Sequence, residues 1–159
     1  MTKARAFRIV HEELRACGVV CPVMMCRRET KGMLGTALSR AERGTAVAGH
    51  YKMSRKSIEN FWRKAGKVPP KDARFYCDRW AVQISFWLWR YAPEYELRYS
   101  VIHEATHHHL RPRSRGWKRC EQDRHGPRFR RHFRKLYRRR YEQLKKQGIW
   151  MPSYKFDAC

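Results

Sequence analysis

The sequence predicts an α+β fold in which a small antiparallel sheet packs against helices. Apolar residues at helical spacing mark both ends of the chain, and short segments rich in β-branched residues lie between them. The hydrophobic fraction is 42%, with 13% aromatic residues, which is enough to build a core. A length of 159 residues fits one compact domain. We therefore expect a single domain over residues 1–159.

An opening helix is expected within residues 1–18. Apolar side chains recur there at spacings of three and four and therefore share one face of a helix: Phe7, Val10, Leu14 and Cys17. Gly18 suits the end of this helix, because glycine readily adopts the backbone conformation that terminates helices. The pattern predicts an amphipathic helix whose apolar face joins the core.

Residues 19–92 are expected to form mainly strands and loops. The segments VVCPVMMCRRE, GMLGTALSR and TAVAGHYKM are short and apolar, and ETKG and AERG between them are typical of turns. These segments predict two or three antiparallel strands. Alternation at Trp80, Val82 and Ile84 predicts a further strand, which leads into a helix beginning near Glu94 to Glu96.

Residues 94–148 are expected to contain a metal site and a basic helix, followed by a tail over residues 149–159. Between Arg111 and Lys146 there are 16 Lys or Arg residues and three acidic residues, a net charge of +13 out of a total of +23. Pro127 suits the first turn of a helix and Gly148 suits its end. One apolar stripe recurs at helical spacing: Phe129, Phe133, Leu136, Tyr137, Tyr141 and Leu144.

The excess of positive charge indicates which kind of partner the protein binds. A net charge of +23 on a chain of this size favours a polyanion as partner, DNA or RNA before a membrane surface. The simpler alternative is a solvated basic face that only aids solubility. No apolar run approaches the roughly 20 residues needed to span a bilayer. Charges interrupt MTKARAFRIVHEELRA before a signal-peptide core could form. We expect a soluble, intracellular, nucleic-acid-associated monomer with reduced cysteines.

The sharpest local motif is HEATH, residues 103–107, within the predicted helix. Residues four apart lie one turn above each other, so His103 and His107 can present ring nitrogens to one metal ion. Glu104 can then take a proton from a water molecule at the open coordination position. The motif predicts a catalytic zinc (Zn²⁺) site.

A catalytic zinc normally has a third protein ligand. Candidates are His108, His109, Glu121, His125 and His132. His108 and His109 are rotated by about 100° and about 200° from His107 on a helix, so we interpret them as a solvated or nucleic-acid-facing pair. Glu121 falls in a predicted loop. His125 is favoured, because HGPRF places it at a rigid turn just before the basic helix.

Two motifs in this order resemble a known family. VQISFWLWRYAPEYELRYSVIHEATHHHL followed by DRHGPRFRRHFRKLY is similar to the SprT-like zinc metalloprotease domain of Spartan-related proteins, and the likeness covers Trp80 to Tyr137. Thr106 stands where an apolar residue is more usual in the family. The resemblance implies a small sheet packed on helices and a catalytic Glu104. It also implies three zinc ligands: His103, His107 and His125.

We therefore expect a zinc-dependent endopeptidase that acts on nucleic-acid-associated proteins, DNA–protein crosslinks included. The alternative is a nucleic-acid-binding structural protein with a structural or inactive zinc site. Tyr137, His132 and Arg128 are candidates for a second oxyanion donor, because they follow the third ligand. Basic side chains predicted to bind nucleic acid are Arg115, Lys118, Arg119, Arg131, Arg134, Lys135, Arg138 and Arg139.

Overall fold

The computed structural model describes residues 1–26, 48–52, 75–76, 80–110 and 125–153. Its helices are α1 (Lys3–Ala16), α2 (Phe86–Arg90), α3 (Glu94–Leu110) and α4 (Pro127–Lys146). Its strands are β1 (Val19–Val20), β2 (Val23–Met25), β3 (Ala48–Lys52), β4 (Phe75–Tyr76) and β5 (Trp80–Ile84). The predicted α+β class is confirmed. The strand predicted in GMLGTALSR lies outside the described residues.

The sheets are mixed in direction rather than antiparallel. Strand β5 lies between β2 and β3; it runs parallel to β2 and antiparallel to β3. Strands β1 and β4 form a separate parallel pair. The expectation of an antiparallel sheet was therefore wrong for two of the three pairings. Turn-like residues suggested hairpins, whereas the long chain between Met25 and Trp80 allows the crossover that a parallel pair requires.

Helix α1 forms as predicted, and the predicted core residues Val10, Leu14 and Cys17 are buried. Thr2 caps it by accepting a hydrogen bond from the Arg5 backbone N–H at 3.3 Å. Gly18, with φ +73°, follows its end. Phe7 is 42% exposed and packs on the His11 ring instead of the core. The buried residues within the helix also include a charged one: Ala6, Ile9, Val10, Glu13 and Leu14.

Helix α2 was not predicted as an element of its own. The Ser85 hydroxyl caps it by accepting from the Leu88 backbone N–H at 3.1 Å. Trp89 is buried and donates its indole N–H to the Cys26 carbonyl at 2.7 Å. Since Cys26 directly follows β2, this bond fixes α2 against the end of that strand. A serine before an apolar run was the available signal.

Helices α3 and α4 hold much of the core. Helix α3 begins at Glu94, as predicted, and buries Leu97, Val101, Ile102 and Ala105. Helix α4 runs from Pro127 to a position just before Gly148 (φ +72°). Its apolar stripe is confirmed as buried at Phe129, Phe133, Leu136, Tyr137 and Leu144, and Tyr141 is half-buried. Within the described ranges, none of the helices is both long and apolar enough to cross a membrane.

A buried ionic cluster joins three helices. Glu13 of α1 is fully buried, and its two carboxylate oxygens accept from Arg140 of α4 at 2.9 and 3.0 Å. Arg98 of α3 also donates to Glu13 and is itself almost fully buried. Because the carboxylate is engaged by two guanidinium groups, its burial is compensated. No local sequence pattern predicts this cluster, which helps to hold α3 between α1 and α4.

Candidate metal centre

Three imidazole rings converge at one end of the α3–α4 packing. The Nε2 atom of His103 lies 3.3 Å from Nε2 of His107 and 3.0 Å from Nε2 of His125. One ring nitrogen from each residue lies within 4.8 Å of the others. Throughout the described ranges, no other group of three or more His, Cys, Asp or Glu side chains meets this criterion. The structure therefore brings together the three histidines that the motifs predicted.

The donor set fits a metal ion. Nitrogen ligands about 2.0–2.1 Å from a tetrahedral metal ion are about 3.3–3.4 Å apart. The two Nε2 separations, 3.3 and 3.0 Å, are close to that value. Imidazole is a ligand that suits zinc and other first-row transition metals. This cluster can hold a metal ion.

Local sequence explains how the rings meet. His103 and His107 share one face of α3 because they are one turn apart. His125 stands just before α4, where Gly126 is the extended N-cap residue and Pro127 opens the helix. The Arg130 backbone N–H donates to the Gly126 carbonyl at 3.0 Å, which closes the first turn. The HGP sequence thus fixes the approach of His125 to α3.

Phe129 forms an aromatic floor beneath the cluster. Its ring centroid lies 4.9 Å from that of His103, 4.4 Å from that of His107 and 4.9 Å from that of His125. The side chain is 1% exposed. The sequence predicted Phe129 only as part of an apolar stripe. Its position, one turn after His125, was the signal that it also faces the histidines.

Glu104 is buried, with 6% of its surface exposed. It follows His103 directly on α3 and is not one of the three converging ligands.

His108 and His109 are not a solvated pair. His108 is buried, and His109 is half-buried with hydrogen bonds from both ring nitrogens. Nδ1 of His109 lies 2.8 Å from Nε2 of His132, and Nε2 of His109 lies 2.7 Å from the Cys17 carbonyl oxygen. The prediction was wrong because the last turn of α3 packs against both α1 and α4. His132 is engaged in the same contact, apart from the three-histidine cluster.

Two candidates for a second oxyanion donor are engaged elsewhere. The Tyr137 hydroxyl is buried and donates to the Pro152 carbonyl at 2.9 Å. His132 contacts His109. Arg128 lies exposed in the first turn of α4. Glu121, a candidate third ligand, falls outside the described residues.

The basic face of α4, defined as Arg130, Arg131, Arg134, Lys135, Arg138 and Arg139, is exposed along its whole length. These side chains, with Pro127 and Glu142, line a recess of about 710 Å³. The Arg139 guanidinium also donates to the Ala16 carbonyl at 3.3 Å. Because these six side chains are exposed, they point away from the buried apolar stripe of α4. Three further predicted contacts lie outside the described residues: Arg115, Lys118 and Arg119.

Comparison with protein-family models, curated proteins and solved structures found no match for this chain.

Proposed function

We propose that this protein is a zinc-dependent endopeptidase that acts on proteins associated with nucleic acid, DNA–protein crosslinks among them. The observation that supports this proposal most strongly is the convergence of His103, His107 and His125, together with a buried Glu104 that follows His103 in the chain. The resemblance of HEATH and HGPRF to the SprT-like metalloprotease domain points to the same chemistry.

His103, His107 and His125 would hold zinc through Nε2, and each would keep its proton on Nδ1. Zinc at three imidazoles would supply Lewis-acid activation of a water molecule and of a peptide carbonyl. Glu104 would accept the proton of the attacking water and then deliver it to the amine of the departing chain. The Glu104 carboxylate would return to its ionised form, and each turnover would consume one water molecule and cleave one peptide bond.

The aromatic floor has a separate role in this proposal. Phe129 contacts all three imidazole rings and excludes water from one side of the cluster. Packed rings keep their orientation before a metal ion binds, which reduces the entropy lost on binding. Phe129 is therefore a positioning residue for the ligands.

The basic face of α4 would bind the nucleic acid. Its exposed Arg and Lys side chains are the groups that contact phosphates, and such binding is nonspecific and steeply salt-dependent. In this arrangement one face of α4 recruits the polyanion, and its first turn carries Phe129 of the metal centre. Recruitment and cleavage would thus occur on adjoining parts of one helix.

The alternative function is a nucleic-acid-binding structural protein with a structural or inactive zinc site. The exposed basic face favours it, since that face requires no catalysis. Glu104 discriminates between the two functions. A site that only stabilises the fold gains nothing from a carboxylate beside its ligands, whereas hydrolysis requires a base.

The experiment is to follow cleavage of a DNA-bound protein by purified protein, with and without duplex DNA, after chelation and after zinc is restored. The proposal expects activity that is lost on chelation, restored by zinc and stimulated by DNA. A zinc-loaded, folded protein that binds DNA and cleaves no protein would favour the structural alternative.

A further inference from the structure

His132 lies in a hydrogen-bonded chain whose proton positions can be assigned. The Cys17 carbonyl can only accept, so Nε2 of His109, 2.7 Å away, carries a proton. In the neutral His109 ring, Nδ1 is then an acceptor. Nε2 of His132, 2.8 Å from that atom, must therefore donate. In the neutral His132 ring, Nδ1 therefore carries a lone pair and no proton.

His132 lies among basic residues of α4. Arg128, Lys135 and Arg139 are four residues before, three after and seven after His132, so all three lie on its side of α4. Burial lowers the pKa of His132 below its usual 6.5, and the charges of Lys135, Arg128 and Arg139 lower it further. The described residues make no hydrogen bond to Nδ1. At neutral pH the ring is therefore uncharged and has no proton to offer outward.

The other elements packed against His132 bring no compensating charge. Helix α3 contributes His109, and the carbonyl groups at the end of α1 bind His109 and Arg139 rather than His132. The Cys17 thiol is neutral at ordinary pH, because burial, followed by the charge of Glu13, raises its pKa to about 12. Glu13 itself is paired with Arg98 and Arg140. Within the part of the chain that the structure describes, no carboxylate raises the pKa of His132.

We propose that His132 is a further phosphate-binding residue, which binds a nucleic-acid phosphate as the imidazolium by donating from Nδ1 while Nε2 remains on His109. This inference rests on the nucleic-acid half of the proposed function and is independent of proteolysis. A bound phosphate offsets the charges of Lys135, Arg128 and Arg139 and adds an acceptor at Nδ1. Both effects favour the charged ring.

Two consequences follow from this assignment. Binding takes up one proton, so affinity rises as pH falls. The bond from His132 to His109 also becomes charge-assisted and therefore stronger. His109 is two residues after His107 on α3, so a bound strand is linked to the end of the helix that carries two metal ligands. His132 thus binds the phosphate and positions His109 at the end of α3.

The test measures affinity for a 20-base-pair mixed-sequence DNA duplex at fixed salt between pH 5.5 and 8, in a Glu104→Gln background that prevents self-cleavage. His132→Gln preserves the inner bond, because the amide can donate to His109. We expect His11→Gln, the matched control on α1, to follow the parent protein. As pH falls, the Glu104→Gln protein with His132 intact should gain affinity over the His132→Gln variant by at most about tenfold per pH unit, because binding takes up one proton. At pH 8 the two proteins should have the same affinity.

NMR titration of the His132 ring supplies the second readout. Its pKa should rise when the duplex is added. An unchanged His132 pKa overturns this inference, and so does an identical pH dependence of DNA affinity with and without His132→Gln. In either case, salt-dependent DNA binding would still support the basic face of α4 as the nucleic-acid interface. Absence of binding at every pH overturns both the inference and the nucleic-acid half of the proposed function.

Discussion

At the scale of single residues, the proposed metal centre assigns three separate roles: ligands, a base and a supporting ring. His103, His107 and His125 converge through Nε2, while Glu104 is buried outside the ligand set. Phe129 contacts the three rings and is the residue whose contribution was least visible in the sequence. These distinct roles predict distinct consequences of substitution.

Glu104→Gln is expected to fold and to retain zinc but to lose proteolysis by about 10²–10⁴-fold, because the amide keeps the shape of the side chain and removes the base. Cleavage rate and zinc content are measured on the same preparation. Glu96→Gln, two turns earlier on α3, is the matched control and should keep both. Near-parental activity in Glu104→Gln would refute the assigned mechanism.

Phe129→Leu is expected to weaken zinc binding by about 10–100-fold, the usual loss when support of metal ligands is removed. Leucine keeps most of the buried apolar volume, so the fold should survive. Competition with a zinc chelator measures the affinity. Leu144→Met, a buried change further along α4, should leave zinc affinity unchanged; an equal loss in both variants would assign the effect to general destabilisation.

At the scale of elements, the packing of α3 between α1 and α4 depends on ions as well as on apolar contacts. Arg98 and Arg140 meet on the fully buried Glu13. On the surface side, Arg98 also binds Glu94 at 2.7 and 2.9 Å, and Arg5 binds the same carboxylate at 2.9 Å. The two clusters connect α1 to the helix that carries HEATH.

Glu13→Gln should destabilise the protein by about 3–5 kcal/mol, because it leaves the buried Arg140 without its anion and removes the one fully buried carboxylate that binds Arg98. Chemical denaturation measures the free energy of unfolding. Glu12→Gln is a close control, since Glu12 is 49% exposed and also contacts Arg98. That exposed pair should contribute at most about 1 kcal/mol. Similar losses in the two variants would contradict a central role for the buried cluster.

The ion pairs of Glu94 should make the free energy of unfolding decrease at acidic pH. Burial alone would raise its pKa, but hydrogen bonds and charges from Arg98 and Arg5 outweigh burial and lower it below the usual 4.5. The folded protein therefore binds fewer protons than the unfolded chain between these two pKa values. The stabilisation is complete above the ordinary pKa and is lost as pH falls through the folded-state pKa.

The corresponding measurement is the free energy of unfolding of wild type and Glu94→Gln from pH 7 to pH 3. Wild type should be more stable at pH 7 by on the order of 1 kcal/mol, because the carboxylate is partly exposed. The difference should shrink as pH falls below the ordinary pKa of Glu94. A difference that stays constant with pH would show that the ion pairs with Arg98 and Arg5 do not stabilise the fold.

At the scale of the whole molecule, the charge is unevenly placed, and α4 has a buried apolar stripe opposite its exposed basic face. Arg131→Glu combined with Arg138→Glu should weaken DNA binding. Each lost phosphate contact should flatten the log–log salt slope by about one unit. Binding titrations at several salt concentrations measure both quantities.

The control for that pair of substitutions makes the same change of net charge elsewhere. Lys3→Glu combined with Arg8→Glu on α1 should have a much smaller effect on affinity and on the salt slope. If both double variants lose affinity equally, total charge and not the basic face governs binding. If neither loses affinity, the basic face of α4 is only solvated.

The sequence predicted the parts of this molecule that depend on local spacing. Helix α4, its apolar stripe and the pairing of HEATH with HGPRF follow from residues near one another in the chain. Strand direction was missed because alternation in Val82 and Ile84 does not report which strand lies beside them. The Glu13 cluster was missed because it joins residues more than 80 positions apart. His109 was misassigned since its neighbours, Cys17 and His132, lie on two other helices.

The central claim is that three histidines from two motifs hold one zinc ion, and metal stoichiometry tests it most directly. Native mass spectrometry with elemental analysis should find one zinc per chain in wild type. His125→Ala should lose most of the metal while remaining folded by circular dichroism, and His11→Ala should retain it. Wild type without a bound metal ion, or His125→Ala with undiminished zinc, would contradict the assignment of these three histidines as zinc ligands.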